Sequence, residues 1–321
     1  MRATKTAKIV IQLAGLCAVA ALAMPVVASP DSLTETAVKR FFLAQVDARC
    51  HLLPPAASTA VTAGYLQARN TSIRSTGGMG ALAPWLDQAR DAADRIACDA
   101  PQVQQQMTAA GDAYRAYVTQ MHLELPTGRS AWLGNRAFAQ KDDWRLAQYQ
   151  SSPEGDLALG LYGPLDHSAF VVMANFKGNQ APYSARLLVR DTSIVSNGII
   201  NRASYGLSDT APLGFSGDAA LTFLARDHSE TQAQLKRPVS ANAIGFSVTG
   251  DYVGAQGPVD AVRFDFPTRA FKAIAQLDPR EDIVIAFDFP DGTKYARFEV
   301  GDMLTGLAYV SLPSPYGQKI G

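Results

Sequence analysis

The chain has 321 residues, 29 basic and 29 acidic side chains, and 47% hydrophobic residues. That composition is globular and leaves room for one large or two ordinary domains. Charges of both signs are interspersed with no block of one sign, which excludes the electrostatic footprint of a nucleic-acid binder or of a protein held to anionic lipid.

Arg2, Lys5 and Lys8 precede an apolar run from Ile9 to Met24, and Pro25-Val26-Val27-Ala28 follows with small residues. This layout predicts a secretory signal peptide over residues 1–28, cut after Ala28. The apolar run is shorter than the roughly 20 residues a membrane-spanning helix needs, and Pro25 interrupts it. Leu16 before Cys17 argues against a lipoprotein anchor. Without these 28 residues, which hold three basic side chains and no acidic one, the net charge is −3. The two remaining cysteines then meet an oxidising compartment.

Residues 29–125 read as a helical bundle. Ser32 and Glu35 have the spacing of a capping box, and Leu33, Ala37, Val38, Phe41 and Phe42 begin a broad apolar stripe. Pro54-Pro55 ends the first helix; a second runs from Ser58 to Arg74, closed by Gly77-Gly78. A third spans about Ala83 to Cys98, and Pro101 opens a fourth with Val103, Met107, Ala110, Tyr114 and Tyr117 at helical spacing. In an up-and-down arrangement the first and third helices end at the same pole. Cys50 and Cys98 lie there, which predicts a structural disulfide rather than a Cys50-His51 nucleophile. The Ala- and Gln-rich outer face reads as a solvated surface or a place where a partner docks.

A linker is expected over 126–143, anchored by Trp132, Trp144, Arg136 and Arg145, with a sugar-binding surface as the alternative for these four residues. Period two then replaces period 3.6 over a domain at 144–312. Strands are expected at Leu157 to Tyr162, Ala169 to Phe176, Ala185 to Arg190, Leu221 to Ala225, Ile244 to Val253, Ala261 to Phe266, Ile283 to Phe289, Thr293 to Val300 and Gly306 to Leu312. Asn197-Gly198 predicts a two-residue hairpin between Ile194-Val195-Ser196 and Ile199-Ile200-Asn201. One helix, near Ala270 to Leu277, interrupts the series. The fold class expected is α+β: a disulfide-linked helical bundle, then an antiparallel β-sandwich or partly closed barrel with one helix, and a loose tail at 313–321.

Chemical motifs are sparse. His51, His122, His167 and His228 have no zinc spacing, and no calcium loop, Walker glycine loop or Gly-x-Ser-x-Gly motif occurs. Asp166-His167-Ser168 and Asp227-His228-Ser229 contain triad residue types, but neighbours on a strand point apart, so they read as turn residues. Asp265 and Asp288 each sit between phenylalanines, which places them on the outer faces of half-buried strands; adjacent strands would make them a carboxylate pair. No catalytic residue, metal ligand or cofactor site is therefore assigned. The expectation is an exported cell-envelope protein with a non-catalytic binding or assembly role, its partner a protein or polymer of the envelope, with no nucleic acid and no integral membrane segment after cleavage. The alternative is a secreted or periplasmic hydrolase acting on an envelope polymer.

Overall fold

The computed structural model describes residues 31–178, 181–200, 206–215, 217–238 and 257–313. The leader, the strand expected at 244–253 and residues 314–321 lie outside them. Four helices come first: α1 (Ser32–Cys50), α2 (Pro55–Thr76), α3 (Ala83–Arg95) and α4 (Pro101–Val118). Proline occupies one of the first two positions of α2, α3 and α4, where its missing N–H is no loss and its fixed φ suits the helix. Gly77, at φ +83°, ends α2 and donates its N–H to the Ile73 carbonyl at 3.0 Å.

The bundle is built on α1. Ala37 and Phe41 pack with Ile73, Leu82 and Leu86, while Val46 packs with Ala93, Val103 and Met107. Cys50 and Cys98 form the expected disulfide, with Cα atoms 5.7 Å apart. Among the described residues, no helix is long and apolar enough to cross a membrane.

Eleven strands follow among the described residues, all pairs antiparallel. The first five are β1 (His122–Pro126), β2 (Ala131–Asn135), β3 (Asp143–Ser152), β4 (Gly155–Gly163) and β5 (Ala169–Phe176); β8 (Asp227–Ala233) and β9 (Val259–Phe266) complete a seven-stranded sheet ordered β1-β2-β3-β4-β5-β9-β8. A second sheet, β11-β10-β6-β7, uses β6 (Ser184–Arg190), β7 (Ala220–Leu224), β10 (Asp282–Phe289) and β11 (Gly292–Glu299). The inner faces meet in one core containing Leu159, Phe170, Val172, Phe264, Leu187, Ile285, Phe287 and Phe298. This is the α+β sandwich expected from the alternation of apolar side chains. The stretch 126–143 carries β2, which pairs with β1 on one side and β3 on the other.

Two short helices accompany the sheets: α5 (Ala270–Ile274), as expected, and α6 (Met303–Val310), where the sequence suggested a last strand. Met303, Gly306 and Val310 face inward together with Thr305 and Tyr309, a spacing of three to four. An almost wholly apolar segment fits either period, and its place between α2 and the sheet selects the helix. The hairpin expected at Asn197-Gly198 does not form. Residues 191–200 lie outside the strands, because buried Arg190 and Glu281 recruit that backbone. Arg190 bonds Glu281 at 2.6 and 2.8 Å and also donates to the Val195 carbonyl, while the Ile199 N–H donates to Glu281 Oε2 at 3.2 Å.

The disulfide spans 48 residues. Replacing both cysteines by serine is expected to lower stability by about 4 kcal/mol, the loop-closure value for a span of this order. Urea unfolding followed by circular dichroism measures this, and thiol titration of the unfolded, unreduced chain should give close to zero.

Candidate functional site

The two Asp-His-Ser tripeptides stay apart in their contacts. His167 Nδ1 lies 2.9 Å from Asp166 Oδ1, on a side chain 80% exposed. In the other, the His228 N–H donates to Asp227 Oδ1 at 2.8 Å, and its ring stacks on Phe264 with centroids 6.0 Å apart. Neither histidine is directed at a serine in these contacts. Asp265 and Asp288 belong to opposite sheets, and their flanking phenylalanines all face the shared core, so the two carboxylates point out of opposite sides of the sandwich. Each is taken by an arginine instead: Asp265 by Arg263 at 2.6 and 2.8 Å, Asp288 by Arg186 at 3.0 and 2.5 Å. They are not a catalytic pair.

Trp132, Trp144, Arg136 and Arg145 offer no binding surface, since all four are buried. A bulge in β3 between Trp144 and Leu146 re-aims Arg145. Its guanidinium donates to the carbonyls of Gly163 and Ala137 at 2.7 Å and of Phe138 at 3.0 Å. Arg136 likewise donates to Val118 O at 2.9 Å, Gln120 O at 3.2 Å and Pro313 O. These arginines tie loops together. Among the described residues, no group of three or more His, Cys, Asp and Glu side chains is placed to hold a metal ion.

The densest buried charge lies where the β1–β2 turn meets β10 and β11. The Glu299 carboxylate accepts from Thr127 Oγ1 at 2.5 Å, Gly128 N at 2.9 Å and Arg129 N at 3.0 Å. Beside it, Asp282 bonds Arg129 at 2.5 Å and lies 3.8 Å from Arg297. Burial pushes the Asp282 carboxyl up to about 6, against the pull of Arg129 and Arg297 and with help from Glu299. The acids of this knot are buried, and Glu299 holds the β1–β2 turn.

Its titration makes a prediction. Asp282 binds its proton more tightly folded than unfolded, so its contribution to stability is complete below about pH 4 and is lost as pH rises through about 6. Between pH 4 and 7 the wild type should lose about 2 kcal/mol relative to D282N, which stays neutral throughout. Urea titrations of both proteins at four pH values measure the difference; a constant gap would refute the assignment.

Among the described residues, two concave surfaces are larger than a third of about 400 Å³ lined by Glu154, Lys177, Asp291 and Lys294 among others. The first is a groove of about 480 Å³ in the helical bundle. On α2 its wall is Ala60, Val61, Gly64 and Gln67; on α4 it is Ala110, Ala113, Tyr114 and Tyr117. Spacings of three and four put each set on one helix face. Of α4's residues only Val103 and Met107, in its first half, are fully buried. Beyond them half of these facing side chains are alanine or glycine, and these are too small to fill the space between α2 and α4. Tyr117 closes the floor, its ring edge-on to Tyr309 at 5.6 Å. Burial pushes the Tyr117 phenol up to about 12, so it is neutral at physiological pH. Arg40 and Leu43 of α1 complete the mouth. Sequence reading reached the alanine-rich face without seeing the groove; the only signal was the Ala60-x₃-Gly64 and Ala110-x₂-Ala113 spacing.

The second is an open cleft of about 570 Å³ at the rim of the sandwich, lined by Asn175, Phe176, Glu230, Gln232, Asp260 and Val262 among others. Glu230 pairs across from Val262 and Gln232 from Asp260, so the two acids are diagonal neighbours, about 7–8 Å apart along the backbone. Gln232 Nε2 bonds Asp260 Oδ1 at 3.2 Å, and Asn175 Nδ2 bonds the Asp260 carbonyl at 2.6 Å. The chain matches no family model, no curated protein and no solved structure, so the functional reading rests on these residues.

Proposed function

We propose that the protein is an exported binding protein of the cell envelope and that the groove between α2 and α4 holds an apolar ligand. The observation that carries this reading is the unfilled apolar space itself: a cavity of about 480 Å³ with few polar groups, between the helices of a bundle, is the ordinary form of a small-molecule site. Export is supported by the charged, apolar and small-residue succession of residues 1–28 and by the Cys50–Cys98 bridge, a bond favoured in oxidising compartments.

Filling the groove tests the binding role. A113L, which projects a larger side chain into the space, is expected to weaken binding of the neutral dye Nile red at least tenfold, read by fluorescence, with an unchanged circular dichroism spectrum. Equal binding by wild type and variant would sink the reading. Export is checked by N-terminal sequencing of the protein from the envelope fraction, which should begin at Ser29.

A second reading, a hydrolase acting on an envelope polymer, is favoured by two acids, Glu230 and Asp260, lining one open cleft at the rim of the sandwich. Incubation with purified peptidoglycan separates the two. The binding reading expects no release of reducing sugar; release that E230Q and D260N abolish would select the hydrolase.

A further inference from the structure

Among the residues lining the bundle groove, Arg40 is the one charged side chain, and no acid lines it. Arg40 lies across α2 over Gly64. Its Nη1 donates to the Gly64 carbonyl at 2.9 Å, and a Cβ at position 64 would sit 3.7 Å from that nitrogen. A guanidinium has five N–H donors, and among the described residues the Arg40 guanidinium uses one of them in a hydrogen bond, to Gly64 O. On α4 the acid Asp112 is engaged by Arg115 and does not neutralise the groove. The floor is uncharged, because Tyr117 keeps its proton. The groove is thus apolar along its length with one cation at its mouth.

Size decides what class of partner fits. Twelve residues line the groove, against the 20–30 per side of a stable protein interface. Along α4 it runs from Ala110 to Tyr117, about 11 Å at 1.5 Å per residue, and Gln120 extends it just past the helix end. That suits one extended alkyl chain.

Resting on the binding role argued above, we propose that the groove takes a single-chain anionic amphiphile: its alkyl chain lies between α2 and α4, and its carboxylate or phosphate head pairs with the Arg40 guanidinium.

The test uses three ligands with the same chain and different heads: dodecanoate, dodecyl maltoside and dodecyltrimethylammonium, each titrated calorimetrically below its micelle concentration. Dodecanoate is expected to bind about fivefold more tightly than the maltoside, the scale of an exposed ion pair, and the cationic ligand more weakly than both. Decanoate, two methylenes shorter, should bind roughly 15-fold more weakly than dodecanoate. R40Q should bring the affinity ratio of dodecanoate to maltoside down to about one, and R40K should keep the ratio. Equal affinity for the three heads, with A113L still abolishing binding, would overturn the anionic head and leave the groove reading standing. No binding of any head, or binding indifferent to A113L, would overturn both.

Discussion

Helix α6 can lie where it does only because two glycines leave room for it. At Gly134 of β2 a Cβ would sit 2.7 Å from the Tyr309 ring, and at Gly306 of α6 itself a Cβ would collide with the Leu146 side chain. On its other side α6 meets α2 through a polar latch. Asn70 donates to Asp302 Oδ1 at 2.8 Å and to the Gly301 carbonyl at 3.1 Å, and Arg74 holds Asp302 Oδ2 at 2.9 Å. The helix therefore joins helical and β halves by close packing on one face and charge-assisted hydrogen bonds on the other. Tyr309 extends the chain of dependence: its hydroxyl donates to Gln120 O at 2.7 Å, and its ring supports Tyr117 under the groove.

Arginine serves two purposes in the interior. Arg190 forms a bidentate buried pair with Glu281, the geometry in which a planar guanidinium offsets most of its desolvation. Arg136 and Arg145 take carbonyl oxygens instead, each tying the end of a regular element, α4 at Val118 or β4 at Gly163, to neighbouring loop backbone at Gln120 or Ala137. Such loops would otherwise leave carbonyls buried without donors. Removing either arginine would strand several acceptors at once, which ties the loops around β2 and β3 to single side chains.

Much of the fold was legible in the residues because local and global signals agree. The Pro101 start of α4, the Cys50–Cys98 bridge and the Phe-Asp-Phe alternation all hold in three dimensions. The misreadings have specific physical sources. The segment around Gly306 is apolar at nearly every position, so periodicity could not tell strand from helix. Asn197-Gly198 is a strong turn signal, but the Arg190–Glu281 pair uses that backbone for other hydrogen bonds. Asp265 and Asp288 look equivalent along the chain, yet their strands enter different sheets, which no local pattern reports. The groove was least legible, because it is a missing volume: it arises from small residues on two helices whose distance apart is set by contacts elsewhere.

That distance has a mechanical consequence. Helix α4 behaves as a beam built in at both ends. At one end, Val103 and Met107 are sunk in the bundle beside the disulfide, and Gln104 Nε2 grips the Cys98 carbonyl at 2.7 Å. At the other, Arg136 and Tyr309 hold the carbonyls of Val118 and Gln120. These contacts at both ends hold α4 off α2 across the span between them. An occupant of the proposed kind would meet walls already in position and would spend little free energy on rearranging them.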